Sequence, residues 1–204
     1  ECRSGNYKGC VEEKCFGVFI SCSTPPYLWG AYSEYLYVPN EALVHKIDPS
    51  VPLEAGVLAC AVLGDSVRWL QQMGGAKIGD TIVILGPGQQ GLGGVVVAKE
   101  CGADKIIITG KSHDKNRLAM AKRFGADYTV NVDEVDEIEF VRDITNGKLA
   151  DVVYDCSGDI GAIERATELV KKRGTIVVPG FYEGIPAIDL NKVAMSEITI
   201  KGTL

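Results

Sequence analysis

No apolar run in these 204 residues approaches the roughly 20 that a membrane-spanning helix needs; VVVA at 95–98 and KIIITG at 105–110 have only the length of a strand or a helical turn. A membrane span is therefore not expected. The N-terminus also lacks the basic, apolar and small-residue regions of a signal peptide. A cytoplasmic location is the simplest expectation, although a piece cut from a longer protein would read the same way. Positive charge is not in excess. The 21 Lys and Arg against 27 Asp and Glu leave a net charge of −6, with the lysines interleaved among acids, so the clustered cations of a nucleic-acid surface are missing. The seven cysteines are an odd number, and Cys22, Cys60, Cys101 and Cys156 sit in apolar surroundings where cysteine packs as a small hydrophobe. A disulfide framework is not expected in a reducing compartment.

What the chain does have is rhythm. From about residue 76, β-branched runs alternate with helix-like stretches, the pattern of βαβ units and a parallel sheet. The predicted strands are TIVIL (81–85), KIIIT (105–109), DYTV (127–130), DVVYD (151–155), GTIVV (174–178) and EITIKGT (197–203). Helices are predicted over 91–101, 115–124, 136–145 and 161–171. Leu118, Ala121 and Phe124 mark one face of the second helix, and Gly125 is its stop. Six strands fit a doubly wound α/β sheet of Rossmann type. Residues 1–65 lack this rhythm. They are rich in glycine, proline and aromatics, which predicts loops and short antiparallel strands belonging to another domain, with the boundary at 65/66.

Strand 81–85 runs into Gly86-Pro87-Gly88-Gln89-Gln90-Gly91, a GxGxxG at the opening of a helix. In that context the first glycine permits the tight turn, the second lets backbone N–H groups approach a diphosphate, and the third lets helix and strand close up. A helix N-terminus holds the negative charge through its unpaired N–H groups and its dipole. Gly93 and Gly94 add to the pattern, since each glycine in a helix costs about 1 kcal/mol relative to alanine and close packing would offset it. A methyltransferase of similar fold usually carries an acid just before its glycines. Here Ile84 and Leu85 stand there, which favours a dinucleotide.

About 20 residues further on, an acid at the end of the second strand would accept the ribose hydroxyls of NAD. This chain has Gly110, then Lys111, Ser112 and His113, with Lys115 and Arg117 following. Donors in place of a carboxylate lean toward the 2′-phosphate of NADP. The alternative is that they are solvated charges at a helix start, which leaves NAD open.

The stretches GGAKIGDTIVILGPGQQGLGGVVVAKECGADKIIITG, RFGADYTVN, ADVVYDCSG and KRGTIVVPGFYEG together resemble the coenzyme domain of medium-chain zinc-dependent alcohol dehydrogenases, and PPYLWGAYSEYLYVP resembles their upstream part. The resemblance covers essentially the whole chain in order. It implies a partial GroES-like, β-rich catalytic segment at 1–65, followed by an NAD(P)-binding domain at 66–204. It also carries coenzyme contacts by position onto Gly86, Gly88, Gln89, Gln90 and Gly91, onto Gly110, Lys111, Ser112 and Arg117, and onto Ser157, Gly158, Val178 and Gly180. Asp155 and Pro179 fall in the same segments. Gln89 and Gln90 depart from the family's usual apolar pair.

The family's structural zinc is held by four cysteines, the last two with seven residues between them around glycine and often asparagine. Cys2, Gly5, Asn6 and Cys10 match that second half, which implies that the chain is cut within the lobe. Two thiolates alone should hold zinc weakly or not at all. Cys15 is either an adventitious ligand or a surface thiol. Cys60, in GVLACAVLGDSVRW, matches a catalytic-zinc ligand by position; its bland reading is a packed thiol. His45 and His113, the only histidines, match no metal histidine of the family.

The resulting expectation is a piece of a zinc-dependent oxidoreductase that exchanges hydride between a small alcohol or carbonyl compound and NAD(P). On its own the piece would bind coenzyme without turnover, with no catalytic residue within it. A homodimer through the last strand is implied, and neither nucleic acid nor membrane is expected as partner. A stand-alone nucleotide-binding or regulatory module without chemistry is the alternative.

Overall fold

The computed structural model describes residues 20–40 and 42–203. Cys2, Cys10 and Cys15 lie outside the described residues. Two compact units divide at Pro49/Ser50. In the first, the described residues form turns, such as Tyr27 N–H to the Thr24 carbonyl at 2.9 Å and Tyr37 N–H to the Leu28 carbonyl at 2.8 Å. Trp29 and Tyr37 meet edge to face at 5.2 Å. The short antiparallel strands expected over this stretch are not formed among the described residues, and Pro25, Pro26 and Pro39 lack the N–H that a ladder needs.

The second unit is built on six strands: β1 (Thr81–Leu85), β2 (Lys105–Gly110), β3 (Tyr128–Asn131), β4 (Ala150–Asp155), β5 (Val170–Val178) and β6 (Thr199–Gly202). Their order is β3-β2-β1-β4-β5-β6 and every pairing is parallel, a doubly wound sheet whose order reverses beside β1. Burial on both faces explains why the strands read as unbroken apolar runs. Ile82, Ile84, Ile106, Ile108 and Tyr154 feed the core on one side, and Val83, Leu85, Ile107, Val153 and Ile176 the core on the other.

Seven α-helical segments accompany the sheet: α1 (Leu53–Leu58), α2 (Gly64–Ser66), α3 (Gln89–Glu100), α4 (Lys115–Phe124), α5 (Glu137–Ile144), α6 (Ile160–Leu169) and α7 (Leu190–Met195). The first two are joined and extended by π-helical turns at Ala59–Leu63 and Val67–Met73 into one helical stretch over 53–73. The chain therefore divides at 49/50 and not at 65/66, because this stretch packs on α3. A Cβ on Gly93 would lie 2.8 Å from both Ser66 Oγ and Val62 Cγ1. Gly94 answers the sheet, where a Cβ would meet the Tyr154 ring at 2.8 Å. Both glycines thus trade helix propensity for close approach.

The helix ends follow their local chemistry. Gly125 closes α4 in the left-handed region at φ 113° and donates to the carbonyls of Ala121 and Lys122. Asp136 accepts the N–H groups of Ile138 and Glu139 at the start of α5, and Asp159 accepts that of Ala162 at the start of α6. Helix α6 stops at Leu169, short of the predicted 171, because Val170 already pairs with Ala150; the strand then bulges before Thr175 pairs with Val152. No helix among the described residues is long and apolar enough to cross a membrane.

Candidate coenzyme cleft

The C-terminal ends of β1, β2 and β4 open into a cleft of about 450 Å³. Its floor is the glycine turn, and each glycine of the motif has its own reason. Gly86 adopts φ 89°, and a Cβ there would come within 2.7 Å of Ser157 Cα. A Cβ on Gly91 would sit 2.0 Å from the Gly86 carbonyl oxygen. Gly88, the N-cap of α3, has no atom within 4 Å of the place a Cβ would take, and it lines the cleft. The first bond of the helix runs from Leu92 N–H to the Gly88 carbonyl at 2.9 Å, so the N–H groups of Gln89, Gln90 and Gly91 precede the ladder. No side chain caps this end. An open glycine edge beside a helix N-terminus suits an anionic diphosphate.

The sequence-derived contacts separate into groups. Gly86, Gly88, Gly110, Lys111, Arg117 and Ser157 line the cleft together. Gln90 does not: its Nε2 donates to the Ala61 carbonyl at 3.4 Å, toward the 53–73 stretch. Gln89 and Gly91 belong to the first turn of α3 without lining the cleft. Ser112 is held at the β3 side, its N–H on the Asp133 carboxylate at 2.7 Å and its hydroxyl beside Asn131.

Gly158, Val178 and Gly180 form a second arrangement, in which the loops after β4 and β5 cross. A Cβ on Gly158 would meet the Phe181 carbonyl at 3.0 Å, and one on Gly180 would stand 3.4 Å from Asp155 O, Gly158 N and Tyr182 Oη. Val178 ends β5 and pairs with Gly202. At the hub of the crossing is Asp155, fully buried. It accepts the Ser157 N–H at 2.9 Å, the Ser157 hydroxyl at 2.6 Å and the Tyr182 hydroxyl at 2.7 Å. Burial raises its carboxyl above the ordinary 3.8, against the pull of those donors. Burial also drives the neighbouring Cys156 thiol well above its usual value. The Tyr182 phenol is raised by burial and by the hydrogen bond it gives Asp155.

Sequence reasoning missed the acids of the cleft. Asp114, largely buried, accepts the Lys111 backbone N–H at 3.2 Å and the Arg117 guanidinium at 3.0 Å, with His113 Nε2 at 3.5 Å. Arg165 donates to Glu137 at 2.7 Å and to Asp136 at 2.9 Å. Lys111 Nζ meets Asp159 at 2.6 Å, which raises the ammonium and lowers the carboxyl. Each cation lining the cleft thus has a carboxylate partner. The signal in the sequence was position: Asp114 and Asp159 each stand four residues beyond the ends of strands β2 and β4, at the edge where open α/β sheets bind ligands.

Of the expected metal positions, Cys60 lies among the described residues. Cys60 is exposed in the π-helical turn Ala59–Leu63. Among the described residues no three His, Cys, Asp or Glu side chains converge as ligands, so Cys60 alone does not fit a tetrahedral zinc site. Cys2 and Cys10 lie outside the described residues.

Comparison with known proteins agrees with this architecture. The family profile for zinc-binding dehydrogenases matches residues 91–204. A Mycobacterium tuberculosis protein described as "Probable alcohol dehydrogenase adh" is 34% identical over 210 residues, covering 100% of this chain and 57% of its own length. The crystal structure of an alcohol dehydrogenase from Thermotoga maritima superposes with a TM-score of 0.86 at 29% identity, over 99% of this chain and 57% of that one. A protein of Sinorhizobium meliloti solved bound to NADP gives a TM-score of 0.66 at 26% identity, over 71% of this chain and 43% of that one. The chain therefore spans about half the length of these relatives, from 43% to 57%, and within that span it belongs to the zinc-type medium-chain alcohol dehydrogenase family.

Proposed function

We propose that this chain supplies the coenzyme-binding part of a cytoplasmic dehydrogenase that moves hydride between a small alcohol or carbonyl substrate and NAD(P). The observation that carries the reading is the glycine turn. Gly88 is open on the cleft side, and the uncapped start of α3 offers N–H groups and the positive end of a helix dipole. When bound, the nicotinamide would supply the hydride chemistry. The chain's own residues do the holding. The turn 86–91 grips the diphosphate, Gly110 and Lys111 meet the adenosine ribose, and the crossing of 155–158 with 180–182 walls the nicotinamide side.

Two finer points belong to the same reading. The absence of a side chain at 110 and the presence of Lys111 favour NADP over NAD, and a relative solved with NADP supports that lean. The 204 residues alone should bind coenzyme without turnover, since they span 57% of the alcohol dehydrogenase relatives. Pairing with a second copy is proposed through β6, which stands at the edge of the sheet.

Titration with NADH and NADPH, followed by nicotinamide fluorescence, tests the reading. Saturable binding of both, tighter for NADPH, is expected, with no alcohol oxidation by the chain alone. Binding of neither coenzyme overturns it.

A further inference from the structure

Lys111 and Asp159 are 48 residues apart in sequence yet meet at 2.6 Å. Lys111 follows β2 and Asp159 follows β4, and β1 lies between those strands. The pair therefore links the two loops that flank the glycine turn. Gly110 leaves Lys111 alone in its role. A Cβ at 110 would lie 2.8 Å from Pro87 Cγ and 3.3 Å from Asp114 Cβ, so no ribose-binding carboxylate can be carried there. The first side chain able to address a ligand at this strand end is the Lys111 ammonium, and Asp159 already holds it.

Asp159 divides its carboxylate between two tasks. Oδ1 accepts the Ala162 N–H at 3.1 Å and caps α6, while Oδ2 takes Lys111. The cap needs only an oxygen. The pairing needs the charge.

We propose that Asp159 sets the coenzyme preference of the cleft by acting through Lys111. A ligand with a phosphate on its adenosine ribose must draw the ammonium away from Asp159, whereas a ligand with free ribose hydroxyls leaves the pair intact. Asp159 is in this sense a positioning residue that holds back selectivity for the phosphorylated ligand. The inference rests on the reading of the cleft as a dinucleotide site.

Asp159→Asn separates the two tasks, because asparagine retains the Oδ1 acceptor and is itself a good N-cap. The measurement is calorimetric affinity for ADP-ribose and for 2′-phospho-ADP-ribose, using the full chain at low and high salt. Asp159→Asn should tighten the 2′-phosphorylated ligand about fivefold at low salt, with less than a twofold change for ADP-ribose, and the gain should shrink as salt rises. Lys111→Met should weaken only the phosphorylated ligand, and the double variant should lose the gain. Equal shifts for both ligands would make Asp159 merely structural, and a gain that survives in the double variant would remove Lys111 as the conduit; either result overturns the proposal. If ADP-ribose binds in no variant, the dinucleotide reading fails first and takes this inference with it.

Discussion

Alanine at Gly91 and alanine at Gly88 should have opposite consequences, although both add one methyl group to the same turn. At Gly91 the new Cβ would sit 2.0 Å from the Gly86 carbonyl oxygen, well inside any tolerable contact. The carbonyl cannot simply retreat. Gly86 is pressed against Ser157, and its N–H is bonded to the Thr109 carbonyl at 3.1 Å. Overpacking of this kind costs about 3 kcal/mol at the upper end of the usual range, and the helix propensity of alanine returns about 1 kcal/mol. A net loss of about 2 kcal/mol lowers Tm by roughly 4–8 °C for a unit of this size. At Gly88 the Cβ meets nothing within 4 Å, and φ −69° with ψ −175° suits any residue. The poorer N-cap and the stiffer unfolded chain nearly cancel, leaving a change of under about 1 kcal/mol. The methyl nonetheless stands where a diphosphate must approach the backbone. A loss of at least tenfold in coenzyme affinity, about 1.4 kcal/mol, is expected. Thermal unfolding by circular dichroism and titration with NADH measure the two effects. Unchanged affinity in Gly88→Ala would refute the grip of the turn on a diphosphate, and an unchanged Tm in Gly91→Ala would refute the packing argument.

Two further outcomes concern the crossing beside the cleft. Folding raises the Asp155 carboxyl above 3.8, so the native state holds that proton more tightly than the unfolded chain does. The associated stability is complete below pH 3.8 and is lost as pH climbs through the native value, at about 1.4 kcal/mol per unit of separation. Asp155→Asn stays neutral throughout, with Oδ1 for Ser157 and an amide that can donate to Tyr182; its stability relative to wild type should rise between pH 4 and pH 7 in urea melts. A flat difference would mean that Asp155 is not desolvated. Thiol reactivity gives the second outcome: at pH 8, alkylation followed by peptide mapping should find exposed Cys60 modified at least tenfold faster than half-buried Cys156, whose thiol is pushed well above its usual value by desolvation. Equal rates would contradict that burial.

The strands were legible because a doubly covered parallel sheet leaves no polar face to interrupt the apolar run. TIVIL coincides with β1 residue for residue, its alternate side chains entering the two cores. The helix over 115–124 was equally plain, since Gly125 supplies the left-handed residue that ends it. The domain boundary was less so. Gly56 and Gly64 dilute the helical signal of 53–73, and Leu53 and Val57 are exposed, so composition groups its first part, up to residue 65, with the residues before it. Its allegiance is decided by Val62, Ser66 and Gly93 meeting closely, a fact of packing and not of periodicity.

The same distinction runs through the site. The glycine turn is local, and a local motif can be read because each residue answers to its immediate neighbours. The charges of the cleft answer to the order of the strands. Lys111 and Asp159 meet only because β2 and β4 both flank β1, and Arg165 reaches Glu137 only because α6 packs on α5. Read along the chain, Lys111 and Arg117 look like a basic lining prepared for phosphates; in the fold each is matched by an acid, as is Arg165. The attraction left for an anionic dinucleotide is then the backbone N–H groups and dipole at the start of α3, which no neighbouring acid neutralises by pairing. Side-chain charge is held in reserve for whichever ligand can take it from its partner.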